Sequence, residues 1–312
     1  MSKIVVNGVD GNFGGLVAKY VLDLVDKKDL VFTAPKIEKL KEYQEMGIAI
    51  AKANFKDIAG LVDVFKDADK VLLISMPFVG EKRRIAHKNV VDACMQANVK
   101  QIIYTSVLSA AHPFNPSIEN VDHSYTEAII QNSPLDYIIL RNSLFVEAFT
   151  SDYMRAVAAG EKTISKNMGD GRVWFISRKD CAYAAACALN NHLLHREILN
   201  INGLEPISYS DFLAIGNEVT NNNITYTKLT DDELYAYFDS IGVPRDTDGD
   251  FSKSPIQATS EGMVTFGTTV TQGYLDVPVS DFSSLTGRLP LSIKYIFEHV
   301  EDYLLGDRHP TE

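Results

Sequence analysis

The sequence predicts an α/β protein with a doubly wound parallel sheet and a smaller C-terminal α/β portion. Over the first 145 residues, short β-branched apolar runs alternate with amphipathic segments, the pattern of parallel strands joined by crossover helices. Three glycines spaced by three follow the first run, where a helix-like apolar stripe begins. After Arg141 the alternation becomes irregular. The predicted strands are Ile4–Asn7, Leu30–Thr33, Ile48–Ala51, Val71–Ser75, Gln101–Ser106 and Tyr137–Arg141.

These patterns divide the chain into two parts. Residues 1–145 form the predicted sheet domain, whose ligand should lie beyond the carboxyl ends of the strands. Residues 146–312 form the smaller portion, with some segments returning to the sheet. Residues 178–194 and 230–242 each predict a helix there, the second with an acidic first turn. The stretch 244–273 is rich in Gly, Ser, Thr and Asp and predicts a long loop or lid over a substrate cleft.

Charge and composition argue against two broad classes of function. The chain has 41 acidic and 30 basic residues and a net charge of -11, which repels nucleic acids and anionic membranes. The densest basic cluster, EKRR at 81–84, is short and predicts a solvated helix start. No window approaches the length of a membrane-spanning apolar segment. We therefore expect neither a nucleic-acid partner nor a membrane.

The cysteines and histidines predict neither a disulfide nor a metal site. Cys94, Cys181 and Cys187 are odd in number, lie in helix-like segments and lack metal-binding spacing, as expected for buried thiols in a reducing compartment. His192 and His195 are three apart but lack a third ligand of suitable spacing. The amino-terminal residues pass into a strand without a signal-peptide pattern. We expect a cytoplasmic protein.

Gly8, Gly11 and Gly14 form the pattern G-x-x-G-x-x-G between the first strand and the first helix. A Cβ at these positions would block the tight turn, the approach of a pyrophosphate or the packing of helix on strand. The helix N-terminus then supplies N–H donors and positive potential for phosphates. This context predicts a Rossmann-type site for NAD or NADP, and a tight turn without a ligand is the alternative.

The segment after the second strand leaves the phosphate preference open. An acid there would favour NAD and an Arg would favour NADP, but the chain has Thr33 followed by Lys36 and Lys39. We expect Thr33 and Lys36 to contact the cofactor. Asp10, inside the glycine turn, would repel a 2′-phosphate that came close. The lysines would attract such a phosphate, or they are exposed helix residues.

The tyrosine-lysine pair of many short-chain reductases is absent, since none of the 14 tyrosines is followed by Lys four residues later. The corresponding region reads HSYTEAII, which places His123, Thr126 and Glu127 on one helix face. His123 could pair with Glu127 and donate a proton near neutral pH. A surface ion pair at a helix start is the alternative.

Polar residues and Met76 follow the central strands where a ligand cleft is expected. Ser75 and Met76 end the fourth strand, Ser106 the fifth and Asn142 the sixth. Each could instead cap a following turn.

An apolar stripe at helical spacing follows the sixth strand. Phe145, Phe149 and Tyr153 either pack in the core or line a pocket for an aromatic substrate.

Seven segments stand in a distinctive order between about residue 3 and 300: NGVDGNFGG, LLISMP, HKNVVDACMQANVKQIIYTS, HSYTEAII, YIILRNSLFVEAF, ISRKDCAYAAA and FSSLTGRLPLSI. Together they resemble the NmrA-like group of atypical short-chain dehydrogenases, most of all its bacterial NAD(P)H:quinone oxidoreductase branch. The resemblance implies a Rossmann domain, a small C-terminal domain and a cleft for an acceptor such as a quinone. It assigns roles as follows: Gly8, Gly11, Asn12 and Phe13 to the dinucleotide phosphates, Ser75 and Met76 to the cofactor's middle, and His123, Thr126 and Glu127 to an H-x-x-T-E element.

The chain departs from the group's pattern at three places. Val9 and Asp10 replace a small residue and Thr, and Thr33 replaces an Arg, so any 2′-phosphate clamp is weakened. Ala128 replaces a Lys after the Thr-Glu pair.

We therefore expect an NAD(P)H-dependent oxidoreductase that transfers a hydride to a quinone or a related small carbonyl acceptor. Asn142, Phe145 and the 244–273 loop would hold the acceptor, with His123 positioned by Glu127. The alternative is a non-catalytic dinucleotide-binding sensor of the same group, acting on a regulatory partner. The fold is also compatible with a homodimer.

Overall fold

The computed structural model describes residues 2–247, 254–256 and 258–306. Within these residues, seven parallel strands form a central sheet and four short strands lie outside it. In chain order the strands are β1 (Ile4–Val6), β2 (Leu30–Ala34), β3 (Ala49–Lys52), β4 (Lys70–Leu73), β5 (Gln101–Val107), β6 (Asp136–Asn142), β7 (Thr163–Lys166), β8 (Arg172–Val173), β9 (Glu197–Ile201), β10 (Ile207–Ser208) and β11 (Thr225–Lys228). All six predicted strands are confirmed to within two residues.

The α-helices of the described ranges cover both faces of the sheet and build the C-terminal portion. They are α1 (Asn12–Val21), α2 (Lys41–Glu45), α3 (Ile58–Phe65), α4 (Glu81–Gln96), α5 (Ile118–Gln131), α6 (Val146–Ala158), α7 (Arg178–Asn190), α8 (Tyr209–Thr220), α9 (Asp231–Ser240), α10 (Ser260–Thr271), α11 (Phe282–Thr286) and α12 (Ile293–Glu298).

The sheet has the order β3-β2-β1-β4-β5-β6-β9, which confirms the doubly wound α/β fold. Val5 and Ile102 pack against α3, α4 and α5, whereas their neighbours Ile4 and Ile103 face α1 and α7. Burial of both faces explains why the strands are nearly continuous apolar runs. Strand β2 pairs with one side of β1, and β4, which comes later in the chain, pairs with the other side of β1. The topological switch point, where doubly wound sheets bind ligands, therefore lies at the carboxyl ends of β1 and β4.

The C-terminal portion has an aromatic core of its own, in which Tyr153, Phe212 and Phe297 pack together. Two of its segments belong to the sheet domain, because β9 pairs with β6 at the sheet edge and α7 packs on α1. The division at residue 145 stays a prediction.

Two sequence-based boundaries were wrong. The helix predicted over 178–194 ends at Asn190, because the Asn191 side chain accepts hydrogen bonds from the backbone of Leu193 and Leu194 and so forms a turn. The loop predicted over 244–273 contains helix α10, whose first turn is capped by the Thr259 hydroxyl. Residues 248–253 and 257 of that stretch lie outside the described residues.

Two other expectations are met. Helix α9 begins after Thr230, which forms a reciprocal capping box with Glu233. Cys94 and Cys181 are buried thiols as expected, whereas Cys187, also a free thiol, is only half-buried.

Candidate functional site

Steric limits shape the glycine turn, which connects β1 to α1 at the switch point. Gly8 has a φ of 68°, in the left-handed region that a side chain would strain. A Cβ on Gly14 would overlap the Gly8 carbonyl oxygen, so only glycine allows α1 to begin this close to the strand. The N–H of Val9 donates to the Thr33 carbonyl oxygen at 3.0 Å. The turn is thereby fixed against the end of β2.

The first turn of α1 presents backbone donors without partners. The N–H of Gly15 donates to the Gly11 carbonyl at 2.8 Å, but no described residue accepts from the N–H groups of Asn12, Phe13 or Gly14. Such groups at the start of a ten-residue helix, together with the helix dipole, form a suitable site for an anion. The turn therefore fits the phosphates of a dinucleotide.

Thr33 does not reach the ligand side of the turn, contrary to the prediction that it contacts a cofactor. Its side chain is fully buried, and its hydroxyl donates to Asn7 Oδ1 at 2.7 Å. Asn7 in turn donates to the Leu72 carbonyl at 2.9 Å. Thr33 therefore joins the ends of β1, β2 and β4.

Asp10 and Lys39 bring the glycine turn and the segment after β2 together. Asp10 Oδ2 lies 3.8 Å from Lys39 Nζ, and both Lys36 and Lys39 are exposed. Lys36 precedes the 3₁₀ turn Ile37–Leu40. A carboxylate and two cations therefore surround the place where the predicted adenosine ribose would lie.

Ser75 and Met76 follow β4 beside the glycine turn, and a buried network fixes their backbone. The N–H of Ser75 donates to the Thr105 hydroxyl at 2.9 Å, and that of Met76 donates to His87 Nε2 at 3.1 Å. The Ser75 hydroxyl accepts from Arg83 at 2.7 Å. The segment is thus rigidly placed at the carboxyl end of β4.

Arg83 belongs to this network, whereas the sequence predicted a solvated EKRR cluster. It is only 5% exposed and pairs with Glu119 at close range and with Asp122 at 3.7 Å. Its acidic partners are more than 30 residues away along the chain, so the local charge pattern could not reveal its burial. Asp122 also accepts from the N–H of Gly80, which begins α4.

His123 is buried and has a partner at each ring nitrogen. Arg83 Nη2 lies 3.1 Å from Nε2, and the Tyr104 hydroxyl lies 2.8 Å from Nδ1. Since Arg can only donate, Nε2 must be the unprotonated acceptor. Burial, with Arg83 and His87 nearby, lowers the pKa of His123 well below 6.5. The expectation that His123 donates a proton near neutral pH is therefore wrong.

Glu127 pairs with Arg141 and not with His123, which corrects the pairing expected from their spacing. Arg141 donates from Nε to Oε1 at 2.9 Å and from Nη2 to Oε2 at 2.5 Å. The Ser106 hydroxyl donates to the same carboxylate at 2.6 Å. A bidentate guanidinium is a stronger partner than a neutral imidazole. Ser106, Glu127 and Arg141 thus link β5, α5 and β6.

Asn142 and two phenylalanines stand at the carboxyl end of β6. Asn142 is 5% exposed, and its side-chain oxygen has no hydrogen-bond partner among the described residues. Phe145 stacks on Phe13 of the glycine turn, with ring centroids 5.9 Å apart and planes within 14°. The buried amide oxygen is therefore an acceptor without a donor, three residues before one ring of a stacked aromatic pair.

Phe149, the other predicted acceptor contact, packs in the C-terminal core. Its ring lies 4.8 Å from that of Phe175 and 5.8 Å from that of Tyr209. Phe149 therefore packs in the core, which was one of the two interpretations of the apolar stripe.

The C-terminal portion approaches the site through α10 and Tyr274. Thr269 of α10 donates to Asn115 at 2.9 Å, and the Tyr274 ring lies 4.6 Å from that of His112. Both partners belong to the segment between β5 and α5. The end of β5 is therefore covered by a helix and its following turn, where the sequence predicted a loop.

A separate cleft of about 440 Å³ opens at the amino ends of the strands, away from the glycine turn. Its carboxylates already have partners, because Asp69 pairs with Lys100 and Asp136 with His195. Ligands of doubly wound sheets bind at the opposite, carboxyl edge. The geometry of the glycine turn is therefore the better guide to the site.

In the described ranges, no group of three or more His, Cys, Asp or Glu side chains is arranged to hold a metal ion. Nor does any described helix combine the length and apolar character needed to span a membrane.

Comparison with known proteins supports the interpretation of the turn. A protein family described as NAD(P)H-binding matches residues 8–192. Quinone oxidoreductase 2 of Escherichia coli is 26% identical over 261 residues, which are 83% of this chain and 89% of that protein. The NmrA-like family domain-containing oxidoreductase flvB of Aspergillus flavus is 24% identical over 241 residues, 74% of this chain and 76% of that one.

The crystal structure of the NADPH-dependent quinone oxidoreductase QOR2 of Escherichia coli, in complex with NADPH, shares the fold. The two superpose with a TM-score of 0.85 at 24% identity, covering 96% of this chain and 99% of the other.

Proposed function

The chain belongs to the NAD(P)H-binding family, and we propose that it is an oxidoreductase that reduces a quinone or a related small carbonyl compound with NADH or NADPH. The resemblance to the NmrA-like group is confirmed by a relative of that name. One observation carries the proposal. At the switch point of the sheet, a turn that only glycines can form presents the unpartnered N–H groups of Asn12, Phe13 and Gly14.

The residues around the switch point divide the work of holding the cofactor. The first turn of α1 binds the phosphates, and Ser75 and Met76 line the middle of the dinucleotide. The network of Arg83 and His87 keeps that second segment in place. Because these groups are fixed before the ligand arrives, little conformational entropy is lost on binding.

The acceptor is proposed to lie near Asn142 and Phe145. A relative named quinone oxidoreductase aligns over most of both chains, which favours a quinone. Phe145 offers an aromatic face, already stacked on Phe13, on which a planar quinone can pack. The unpartnered amide oxygen of Asn142 can accept from a hydroxyl of the hydroquinone product, because a quinone itself has no hydrogen-bond donor.

Bound NADH or NADPH supplies a hydride, and a quinone that receives it needs one proton to become a hydroquinone. His123 does not supply that proton near neutral pH, because its imidazole is neutral and has a partner at each nitrogen. The chain also has no Tyr-x-x-x-Lys pair. We infer that the proton comes from water and that His123, Glu127 and Ser106 position the surrounding backbone.

Steady-state oxidation of NADH and NADPH by the purified chain, with a panel of benzoquinones, naphthoquinones and activated ketones, tests the proposal. We expect saturable turnover that depends on the quinone. Saturable dinucleotide binding without turnover of any acceptor would favour the sensor function instead. The homodimer and the cytoplasmic location stay predictions.

A further inference from the structure

We propose that the carboxylate of Asp10 binds the hydroxyls of the adenosine ribose and makes the site selective for NADH over NADPH. The inference rests on the proposed dinucleotide site and concerns its adenosine half. Asp10 lies between Val9, whose N–H is bonded to the end of β2, and Gly11, which caps α1. Its carboxylate is close to the segment after β2, because Lys39 of that segment is 3.8 Å away.

The Asp10 carboxylate has acceptor capacity to spare. Its side chain is 18% exposed, and its ionic partner Lys39 lies beyond hydrogen-bond distance. Within the described ranges, no donor makes a hydrogen bond to it. An ionised carboxylate has two oxygens with about four lone-pair sites. It can therefore accept from both hydroxyls of an unmodified ribose.

The end of β2 offers no replacement for this carboxylate. In doubly wound sheets an acid at this place commonly binds the ribose 2′-hydroxyl, whereas an Arg accommodates a 2′-phosphate. Here Thr33 is buried and donates to Asn7, and the next residues, Ala34 and Pro35, carry no polar side chain. Asp10 can therefore take the place of the acid that commonly ends the second strand and binds the ribose 2′-hydroxyl.

A 2′-phosphate would be repelled by the same carboxylate. Lys36 and Lys39 are exposed, and exposed ion pairs contribute little because water and salt screen them. Hydrogen bonds to a charged group contribute more, so we expect unphosphorylated ligands to bind about tenfold more tightly.

Titration calorimetry with ADP-ribose and 2′-phospho-ADP-ribose, alongside NADH and NADPH, tests the proposal on the full chain. The first two ligands lack the nicotinamide and differ from each other only at the adenosine 2′-position, so the ratio of their affinities reports on that position. Asp10→Asn removes the charge and keeps the side-chain size. Glu38→Gln is the matched control, since it makes the same charge change at an exposed position of the neighbouring 3₁₀ turn. Thermal melts establish that both variants fold.

The wild-type chain should prefer ADP-ribose and NADH by about tenfold, Asp10→Asn should bring the ratio close to one, and Glu38→Gln should keep the wild-type ratio. A wild-type preference for the phosphorylated ligands, or an unchanged ratio in Asp10→Asn, would overturn the proposal and leave the dinucleotide site standing. Failure of all four ligands to bind would contradict the proposed function as well.

Discussion

Nη2 of Arg83 lies 3.1 Å from Nε2 of His123. Because the guanidinium can only donate, the imidazole must be neutral and carry its proton on Nδ1, toward the Tyr104 hydroxyl. His87 has the same tautomer, since its Nε2 accepts from the Met76 N–H and its Nδ1 donates to the Thr126 hydroxyl. Two neutral imidazoles therefore take part in the buried network behind Ser75 and Met76.

The first prediction concerns acid stability. Burial, together with Arg83, lowers the pKa of His87 to about 3. Below about pH 6.5 the unfolded chain binds a proton that the native chain does not, so stability contributed by neutral His87 is present above that pH. It is lost as the pH falls toward about 3. The unfolding free energy should therefore decrease by up to about 1.4 kcal/mol per pH unit from this residue.

His87→Gln isolates this effect, because the amide can still donate to Thr126 and accept from Met76. Urea unfolding at pH 7.5 and 5.0 should show the stability gap between wild type and variant narrowing by about 2 kcal/mol at the lower pH. His192→Gln, which removes an exposed imidazole, is the control. A gap that stays constant with pH would mean that His87 is not held neutral.

The second prediction concerns Arg83. Arg83→Ala should lower the unfolding free energy by about 1.5–3 kcal/mol, because Glu119 and Ser75 lose a charged hydrogen-bond donor while Asp122 keeps its 2.6 Å pair with Arg84. Dinucleotide affinity should fall as well, since the Ser75 hydroxyl loses its donor. Lys88→Ala, which breaks an exposed pair on the same helix, should change stability by less than about 1 kcal/mol. If urea unfolding shows that Arg83→Ala and Lys88→Ala lower the unfolding free energy equally, Arg83 does not belong to a buried network.

The third prediction compares two adjacent glycines. Gly14→Ala should lower the unfolding free energy by about 1–3 kcal/mol and weaken dinucleotide binding, because its Cβ overlaps the Gly8 carbonyl. Gly15→Ala should be tolerated, since its Cβ would lie 3.4 Å from the Val9 carbonyl oxygen, an ordinary contact. Calorimetric titration with NADH and thermal melts distinguish the two. Similar affinities for NADH in the two variants would contradict the proposal that the glycine turn binds the dinucleotide phosphates.

The fourth prediction separates two phenylalanines. Phe145→Ala should raise the KM for a quinone by about tenfold through loss of apolar contact. Phe149→Ala should instead lower the unfolding free energy by about 3 kcal/mol, because its ring packs against Phe175 and Tyr209. Steady-state kinetics and urea unfolding measure the two effects. If Phe149→Ala raises the KM for the quinone and Phe145→Ala does not, the acceptor binds at Phe149 and not at Phe145.

Much of the sheet domain could be predicted from the sequence because its physical signals are local. A strand buried on both faces must be apolar along its length. The strands that contain Val71, Ile102 and Ile138 could therefore be predicted from their apolar runs. The glycine turn is also local, since a positive φ at Gly8 and close packing at Gly14 each exclude other residues.

The side-chain network could not be predicted in this way. The spacing of His123 and Glu127 suggested a pair, but Arg141, on the neighbouring strand, takes the carboxylate with two hydrogen bonds. The charge of Arg83 suggested a solvated position, but Glu119, a whole helix and strand later, neutralises it. Partners distant in sequence decide both outcomes. Helix α10 was missed for a different reason, since its Gly and Thr content favours a loop until packing against α5 and α9 is counted.

The most direct test of the central claim is a single turnover. The chain loaded with one equivalent of NADH is mixed anaerobically with a simple benzoquinone, and the absorbance of the reduced nicotinamide is followed. Rapid loss of that absorbance, matched by one equivalent of hydroquinone and absent in Gly14→Ala, is the predicted result. Absorbance that persists with the dinucleotide still bound, across the quinones tested, would contradict an enzyme that reduces quinones.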